Sequence, residues 1–398
     1  MLEAAGQTPQ VPAGSGTRKT QRAASPTGHP KRILSPVPGV ALATLTLGSV
    51  AAQGDNAEAG DAVKAVLTAY FADLNERGGI YHRRISVRFA QAGQDSPTTV
   101  KNVRQLLDGR IFALIAPFAP GDESGLAELA QEKKVPVAGL LALSVPDDPA
   151  NREVFYLLPG FEQLVQELSK FAVQRQKADP AKTAVIFSDS SFQKELASAL
   201  HAVWKELGAA PPAEFIATAE NRAQLVHDLQ QQGRDAIFFL GEGEEVMPWL
   251  QTATDAKWFP KVFLLGPLLD NEVLRAPAQL QGRMFAVYPG LQPDLEGLTE
   301  FDQFLERHHL TDEHRLLLMS AYCAAKVMET ALTRAGKDLT REKLVLALEQ
   351  LHDFHTGLFP AITFGPKRRI GSTKAEFVCV DVLAHAFEPT CSEPPKAE

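Results

Sequence analysis

Ser188, Asp189, Ser190 and Ser191 close an apolar run and come nearest, by residue type, to nucleophilic chemistry. A serine nucleophile needs a histidine base and a strained turn to present it. No Gly-x-Ser-x-Gly elbow occurs in the chain, and no histidine is evident as the base. Asp189-Ser190-Ser191 therefore reads as a helix N-cap, whose side chains meet the free backbone N–H groups of a first turn. His308, His309 and His314 suggest metal ligation, but Thr311-Asp312 puts a helix end between them, so they read as solvated. His352 and His355 have no third ligand in sequence. Gly241 and Gly243 follow an apolar run as a dinucleotide loop would, yet the third glycine of that fingerprint is missing. Glu242, Glu244 and Glu245 form a charge run in the same strand-end loop, from which Glu242 can face a cleft. No catalytic constellation survives, so the sequence reads as a non-enzyme without metal or cofactor.

The cysteines add little. Cys323, Cys379 and Cys391 lack metal-ligand spacing. Cys323 lies in an apolar helical run and reads as a buried small hydrophobe. Cys379 and Cys391 can form one disulfide in an oxidising compartment, subject to a geometry that sequence does not test.

The elements that would carry any site are clearer. The stretch Glu58–Ala90 shows apolar or small residues at Ala59, Ala62, Val63, Val66, Leu67, Tyr70, Phe71 and Leu74, the spacing of one helix face. Gly78-Gly79 stops the helix, and Ile85, Val87 and Phe89 then alternate as a strand. Strand-like runs at 85–90, 111–116, 135–139, 183–188, 236–240, 262–265 and 283–288 alternate with helical runs. The helical runs fall at 97–108, 124–133, 162–177, 192–207, 221–232, 296–308, 313–335 and 340–350. That alternation predicts βαβ units and parallel sheets, and "AIFFLG" and "KVFLLG" read as strands covered on both faces. The series runs twice, the second time from about Thr183. At 398 residues the chain is also too long for one ordinary core.

Charge excludes one class of partner. Residues 1–38 hold Arg18, Lys19, Arg22, Lys31 and Arg32 against Glu3, a net +4, while the whole chain carries −8. The remainder is thus −12, the wrong sign for nucleic-acid binding. Residues 1–38 are rich in Gly, Pro, Ser and Thr and read as disordered. Ile33–Gln53 is uncharged and follows Lys31-Arg32, as an export signal would, with Ser49-Val50-Ala51-Ala52 as a cleavage region. The favoured alternative is a strand at about 43–51.

"AYFADLNERGGIYHRRISVRF" resembles the opening of the type I periplasmic binding proteins, in particular the substrate-binding components of branched-chain (Leu/Ile/Val) amino-acid ABC transporters. "LAELAQEKKVPVAG", "TAVIFSDSSFQKEL", "GRDAIFFLGEGEE", "MSAYCAAKVMETALTRAG" and "FPAITFGPKRRIGSTKAEFVCVDV" follow in the family's order. The resemblance covers about 43–387. It implies an α/β fold of two Rossmann-like lobes with parallel central sheets, joined by a three-strand hinge near 158, 288 and 355. One lobe would be 43–158 plus 288–355 and the other 159–287 plus 356–387, with a disordered or signal-like 1–42 ahead and a tail at 388–398. It further implies a small-molecule ligand closed between the lobes, an ABC permease as partner, and a periplasmic or otherwise extracytoplasmic location.

Carried over residue by residue, the resemblance changes the expected ligand. Where amino-acid-binding members place hydroxyls for the ligand carboxylate, this chain has Ala119-Pro120 after Phe118, and Leu141 to Leu143. The acid expected at the ammonium corresponds to Glu162, next to Phe161. The Tyr-Gly that opens the second lobe's first helix is Phe192-Gln193, the aromatic loop is Gly241-Glu242-Gly243, and the Gly-Pro-Glu is Gly266-Pro267-Leu268. A sealed zwitterion needs charged partners, and most are replaced by apolar side chains. The expected ligand is thus less polar than an amino acid, an aromatic or aliphatic compound with one polar end. A ligand-sensing regulatory protein of the same fold, or an α/β enzyme, are the alternative functions, and a cleft that has lost its small molecule is the remaining one.

Overall fold

Two parallel-rich sheets organise the chain, and each is built by the βα alternation visible in sequence. The computed structural model describes residues 37–142, 145, 151–241, 243–269, 271–290 and 295–388. Of the segments singled out above, residues 1–36, Leu143, Glu242 and the tail with Cys391 lie outside the described residues.

The uncharged run near the amino terminus forms a strand, β1 (Thr44–Ala51), with Leu45 and Leu47–Ala51 buried. Helix α1 (Ala57–Glu76) buries the eight apolar or small positions expected of it. Gly79 shows why the stop must be glycine. Its φ is +67°, and a Cβ there would fall 2.1 Å from the Arg83 carbonyl oxygen. The chain returns as β2 (Arg84–Gln91), then α2 (Ser96–Asp108), β3 (Leu114–Ile115), α3 (Glu123–Lys133), β4 (Val137–Ala138) and β5 (Val154–Phe155). These five strands form one parallel sheet in the order β2-β1-β3-β4-β5. The runs at 111–116 and 135–139 shorten to two residues each, and β5 carries too short an apolar run to be read from sequence.

The second sheet begins after α4 (Phe161–Gln174). Its elements are β6 (Thr183–Phe187), α5 (Ser191–Glu206), β7 (Ala213–Ile216), α6 (Arg222–Gln231), β8 (Ala236–Phe239), α7 (Gly243–Asp255), β9 (Lys261–Leu265) and β10 (Met284–Tyr288). Three helices follow, α8 (Leu295–Arg307), α9 (Arg315–Ala335) and α10 (Arg341–Glu349), and then the hairpin β11 (Glu376–Asp381) and β12 (Ala386–Glu388). The order is β12-β11-β10-β9-β8-β6-β7, with β6 to β10 parallel and the hairpin antiparallel. Two elements were not legible in sequence. The edge strand β7 alternates with weak hydrophobicity, and α7 contains Pro248. Glu244 and Glu245 of the acidic run therefore lie in the first turn of a helix rather than in an extended loop.

Alternation across the second sheet builds two cores. Phe238, Phe263 and Phe285 pack on one face with Phe171 of α4 and Trp204 of α5. Ile237, Val262 and Leu264 pack on the other with Trp249 and Trp258. Each such side chain contributes roughly 1.5–3 kcal/mol by leaving water. Helices α9 and α10 return to the first sheet, where Cys323, Val327 and Leu348 join Leu45, Leu67 and Phe155 in one core. Leu358, Phe359, Ile362 and Phe364 belong to that same core, although sequence assigned 356–387 to the other half. The last passage between cores falls between Ser372, whose N–H donates to the Leu157 carbonyl, and Glu376.

Candidate functional site

In parallel sheets the carboxyl ends of the strands point their loops to one rim, which is where ligands bind. On the first sheet, the chain leaves β3 through Ala116, whose φ is +40°, and the Phe118 N–H donates to the Val50 carbonyl at 2.9 Å. Phe118 and Leu141 then form a parallel bridge, with the Leu141 N–H donating to Pro117 O at 3.1 Å. Both side chains are buried in the first core. Ala119 points to the opposite core beside α3, Pro120 is half-buried, and the Asp122 N–H closes the turn on Ala119 O at 3.0 Å. Ser49 lies beneath this rim, donating its Oγ proton to Ala116 O at 3.3 Å.

On the second sheet, α4 opens at Gly160-Phe161. The buried Phe161 ring meets the half-buried Phe192 ring edge-on, with centroids 5.4 Å apart. Glu162 is half-buried in the same first turn. Leu268 ends the 3₁₀ turn Gly266–Leu268 after β9 and packs on the same core as both phenylalanines. Ser190 caps α5, its Oγ accepting from Gln193 N–H at 3.2 Å, as the serine triplet predicts. Gln193 is buried and its Oε1 accepts from Ser188 N–H at 2.5 Å, so the side chain that follows Phe192 fixes the end of β6.

One contact brings the two groups together. Gln163 Nε2 donates to Val145 O at 2.7 Å, tying the loop after β4 to the first turn of α4. A Cβ on Gly160 would fall 2.6 Å from Val145 N, so this approach requires glycine. Leu141 and Phe161 thus belong to segments held against each other. Leu143 and Glu242 lie outside the described residues.

Sequence reasoning missed Gln163 and Tyr288. The Tyr288 ring at the end of β10 lies against Gly266, where a Cβ would sit 2.5 Å from the ring. Burial pushes its phenol above the ordinary range. The only available signal was its place as the last residue of a predicted strand.

Other clusters do not compete. Among the described residues no group of three or more His, Cys, Asp or Glu is placed to hold a metal. His308 is less solvated than its sequence suggests, with Nε2 2.9 Å from Asp73 Oδ1. Recesses around Arg341 lie at the opposite ends of β3 and β4, and its guanidinium already donates to the carbonyls of Ile111, Phe112, Lys133 and Lys134.

Comparison with known proteins gives a consistent result. A family model described as periplasmic binding protein matches residues 47–382. No curated protein sequence matches the chain. Among solved structures, it is similar to a branched-chain amino-acid ABC transporter from Thermus thermophilus with bound valine, with a TM-score of 0.72 at 17% identity. That match spans 89% of this chain and 98% of the other. It is similar to a fatty acid ABC transporter substrate-binding protein from Thermomonospora curvata, with a TM-score of 0.69 at 17% identity, over 86% and 90% of the two chains. A substrate-binding periplasmic protein from Ralstonia solanacearum reaches 0.66 at 21% identity, over 85% and 98%.

Proposed function

The chain belongs to the periplasmic binding protein family, and on that premise we propose that it is the extracytoplasmic solute-binding component of an ABC-type transporter, with a ligand less polar than an amino acid. A protein of this family binds its ligand without transforming it. The two sheets would be its two lobes, with passages near 158, after 288 and between Ser372 and Glu376. Ligand bridging both rims would favour the closed form of a hinge. The permease is the implied partner. The disulfide-bonded state of Cys379 supports an oxidising, extracytoplasmic setting.

The apolar character of the rim carries the ligand assignment. By the resemblance, Leu141 on one side and Phe192 and Leu268 on the other would replace polar groups that a zwitterion needs, and Phe118 and Phe161 would line the same pocket. Ala119 and Pro120 offer no side-chain donor, and Glu162 is the acid that the resemblance aligns with the polar end of a ligand. Leu143 and Glu242 remain assigned to the site by position in sequence alone. The neighbours' ligands, valine in one and a fatty acid in the name of another, bracket this polarity.

A thermal-shift screen of the full chain tests the reading. The panel contains leucine, valine, aromatic amino acids, aromatic carboxylates, short amides and aliphatic alcohols and acids. A compound at about a hundred times its Kd should stabilise by roughly 2.7 kcal/mol. Shifts confined to the less polar compounds are expected; a shift with leucine or valine alone would overturn the apolar assignment.

A further inference from the structure

The end of the first sheet at which its strands begin lies opposite the strand-end rim, and segments far apart in sequence build it. The turn 41–44 links Val40 to Leu45 in an antiparallel bridge, and Gly39 fits against Phe112, whose N would lie 2.3 Å from an added Cβ. Arg83 ties this turn to the segment after α9, donating from Nε to Ala41 O and from Nη1 to Lys337 O, both at 3.0 Å. Arg341 holds the carbonyls of Ile111, Phe112, Lys133 and Lys134 at the starts of β3 and β4. The turn Gly365–Arg368 reaches the same end, because Ile370 runs parallel beside Tyr156 after β5.

The fold gathers cations here that the sequence scatters. Arg84, Arg110, Lys134, Lys337, Lys343 and Lys367 are all exposed, and none of them forms an ion pair among the described residues. Asp108 and Glu132 are held by Lys133 and Arg104, which leaves Glu76, Asp338 and Glu342 as exposed acids without an ion pair at this end. At the other ends of the strands the loops 52–56, 92–95 and 117–122 contain Asp55, Asp95 and Asp122 and no lysine or arginine. Helix carboxyl ends attract cations, which accounts for Arg110 after α2 and Lys134 after α3. It does not account for Arg84 at the start of a strand or for Lys367 in a turn.

Leu42 stands in the 41–44 turn, in the segment that Arg83 and Arg84 hold through Ala41 O and Ala43 O, and is 95% exposed. A lone exposed leucine is ordinary. One set among cations on a chain of net charge −8 has a specific physical match. Its side chain can enter a headgroup layer while the neighbouring cations meet phosphates. Residues 1–36 join this end through Val37 and carry Arg18, Lys19, Arg22, Lys31 and Arg32 against Glu3.

We propose that this end of the first sheet docks on an anionic phospholipid surface, with Leu42 in the headgroup layer and Arg84, Arg110 and Lys337 at lipid phosphates. The opposed charges of the two ends orient the chain in the negative surface potential and leave the ligand rim open to solvent. This surface is separate from the ligand site, and its test requires no ligand.

Co-sedimentation of the full chain with vesicles of phosphatidylcholine alone, and of phosphatidylcholine mixed with phosphatidylglycerol, tests the assignment. Binding to the mixed vesicles only is expected, and added salt should weaken it. Arg84→Gln and Lys337→Gln should each lower the partition coefficient roughly fivefold. Leu42→Trp reports the surface directly, because Trp204, Trp249 and Trp258 are all buried. Its emission should shift to the blue with the mixed vesicles and stay unchanged with phosphatidylcholine. No binding, or equal binding to both vesicles, would overturn the proposal. So would binding that leaves the Leu42→Trp emission unchanged and survives both glutamine variants, since another part of the chain would then carry it.

Discussion

Arg369 donates to Glu349 Oε1 at 2.7 Å, and the two side chains are only 2% and 7% exposed. The same guanidinium donates to Gly365 O at 2.5 Å and lies 4.5 Å from the centroid of the Phe155 ring. The pair fixes the segment before the last passage against α10 and the edge strand β5. Lys367-Arg368-Arg369 is a run of three basic residues, and burial of its third member makes it a tether.

Removing one partner of a buried ion pair costs about 3–5 kcal/mol, and without Arg369 the buried Glu349 keeps only a 3.6 Å contact with the exposed Arg152. Arg369→Met should therefore lower the urea midpoint strongly. The double variant Arg369→Met/Glu349→Leu should recover much of that loss, because no charge is left buried. Equal destabilisation by the single and the double variant would mean that shape, not charge, governs the site.

Phe192 is half-buried, so its ring can be removed without opening a core. Phe192→Ala should lose the edge-on contact with Phe161, worth about 0.5–1.5 kcal/mol. Its circular dichroism should stay that of the wild type, while the thermal shift given by apolar compounds falls away. An unchanged ligand shift would remove Phe192 from the site.

Gly160→Ala tests the contact that joins the two rims. A methyl 2.6 Å from Val145 N must displace the loop after β4, at about 1–3 kcal/mol for an overpacked position. Ligand affinity should drop more in this variant than in Ser190→Ala, which loses only the cap of α5. Comparable affinities would show that the loop carrying Leu141 does not reach the ligand.

Alkaline pH should destabilise the fold with a defined sign. Burial pushes the Cys323 thiol up to about 12 from 9.0, and burial, with Glu123 nearby, pushes the Tyr156 phenol up to about 12 from 10.0. Tyr70, Tyr288 and Tyr322 shift in the same direction, again chiefly through burial. These groups contribute fully below pH 9, where native and unfolded chains both hold the protons. Above pH 9 for the thiol, and pH 10 for the phenols, the unfolded chain releases protons that the native one keeps. Stability then falls by about 1.4 kcal/mol per pH unit for each such group. Urea midpoints between pH 8 and 11 should show this decline, and Cys323→Ala should flatten its first unit.

Thiol counting separates the cysteines. Cys323 is free and buried, and Cys379 is disulfide-bonded. The native protein should therefore give almost no reaction with an aromatic disulfide reagent at pH 8, one thiol after denaturation, and three after denaturation with reductant. Two or more thiols in the unreduced denatured chain would contradict the bonded state.

Much of the fold was legible because apolar periodicity is local. The face of α1, the glycine stop after it and the buried runs of β6, β8, β9 and β10 each follow from residues within one element. The strand expected at about 43–51 is also present, since 44–51 pairs along its whole length with β2. What local pattern lacked was signal for elements held by their neighbours. Strand β5 is two residues long, β7 is an exposed edge, and α7 contains a proline.

For the site, sequence by itself determined residue chemistry: phenylalanine, leucine and alanine at the positions that the resemblance assigns to it. Only the tertiary structure decided which of them meet. The Phe161–Phe192 contact joins the first turns of α4 and α5, Gln163 finds Val145 eighteen residues away, and Tyr288 pairs with Glu376 through an antiparallel register. Burial is likewise a property of the assembled chain, which takes Arg369, the last of three consecutive basic residues, into the interior. Composition fixes what each side chain can do, whereas the dielectric around it and the partner within reach exist only after the sheets have packed.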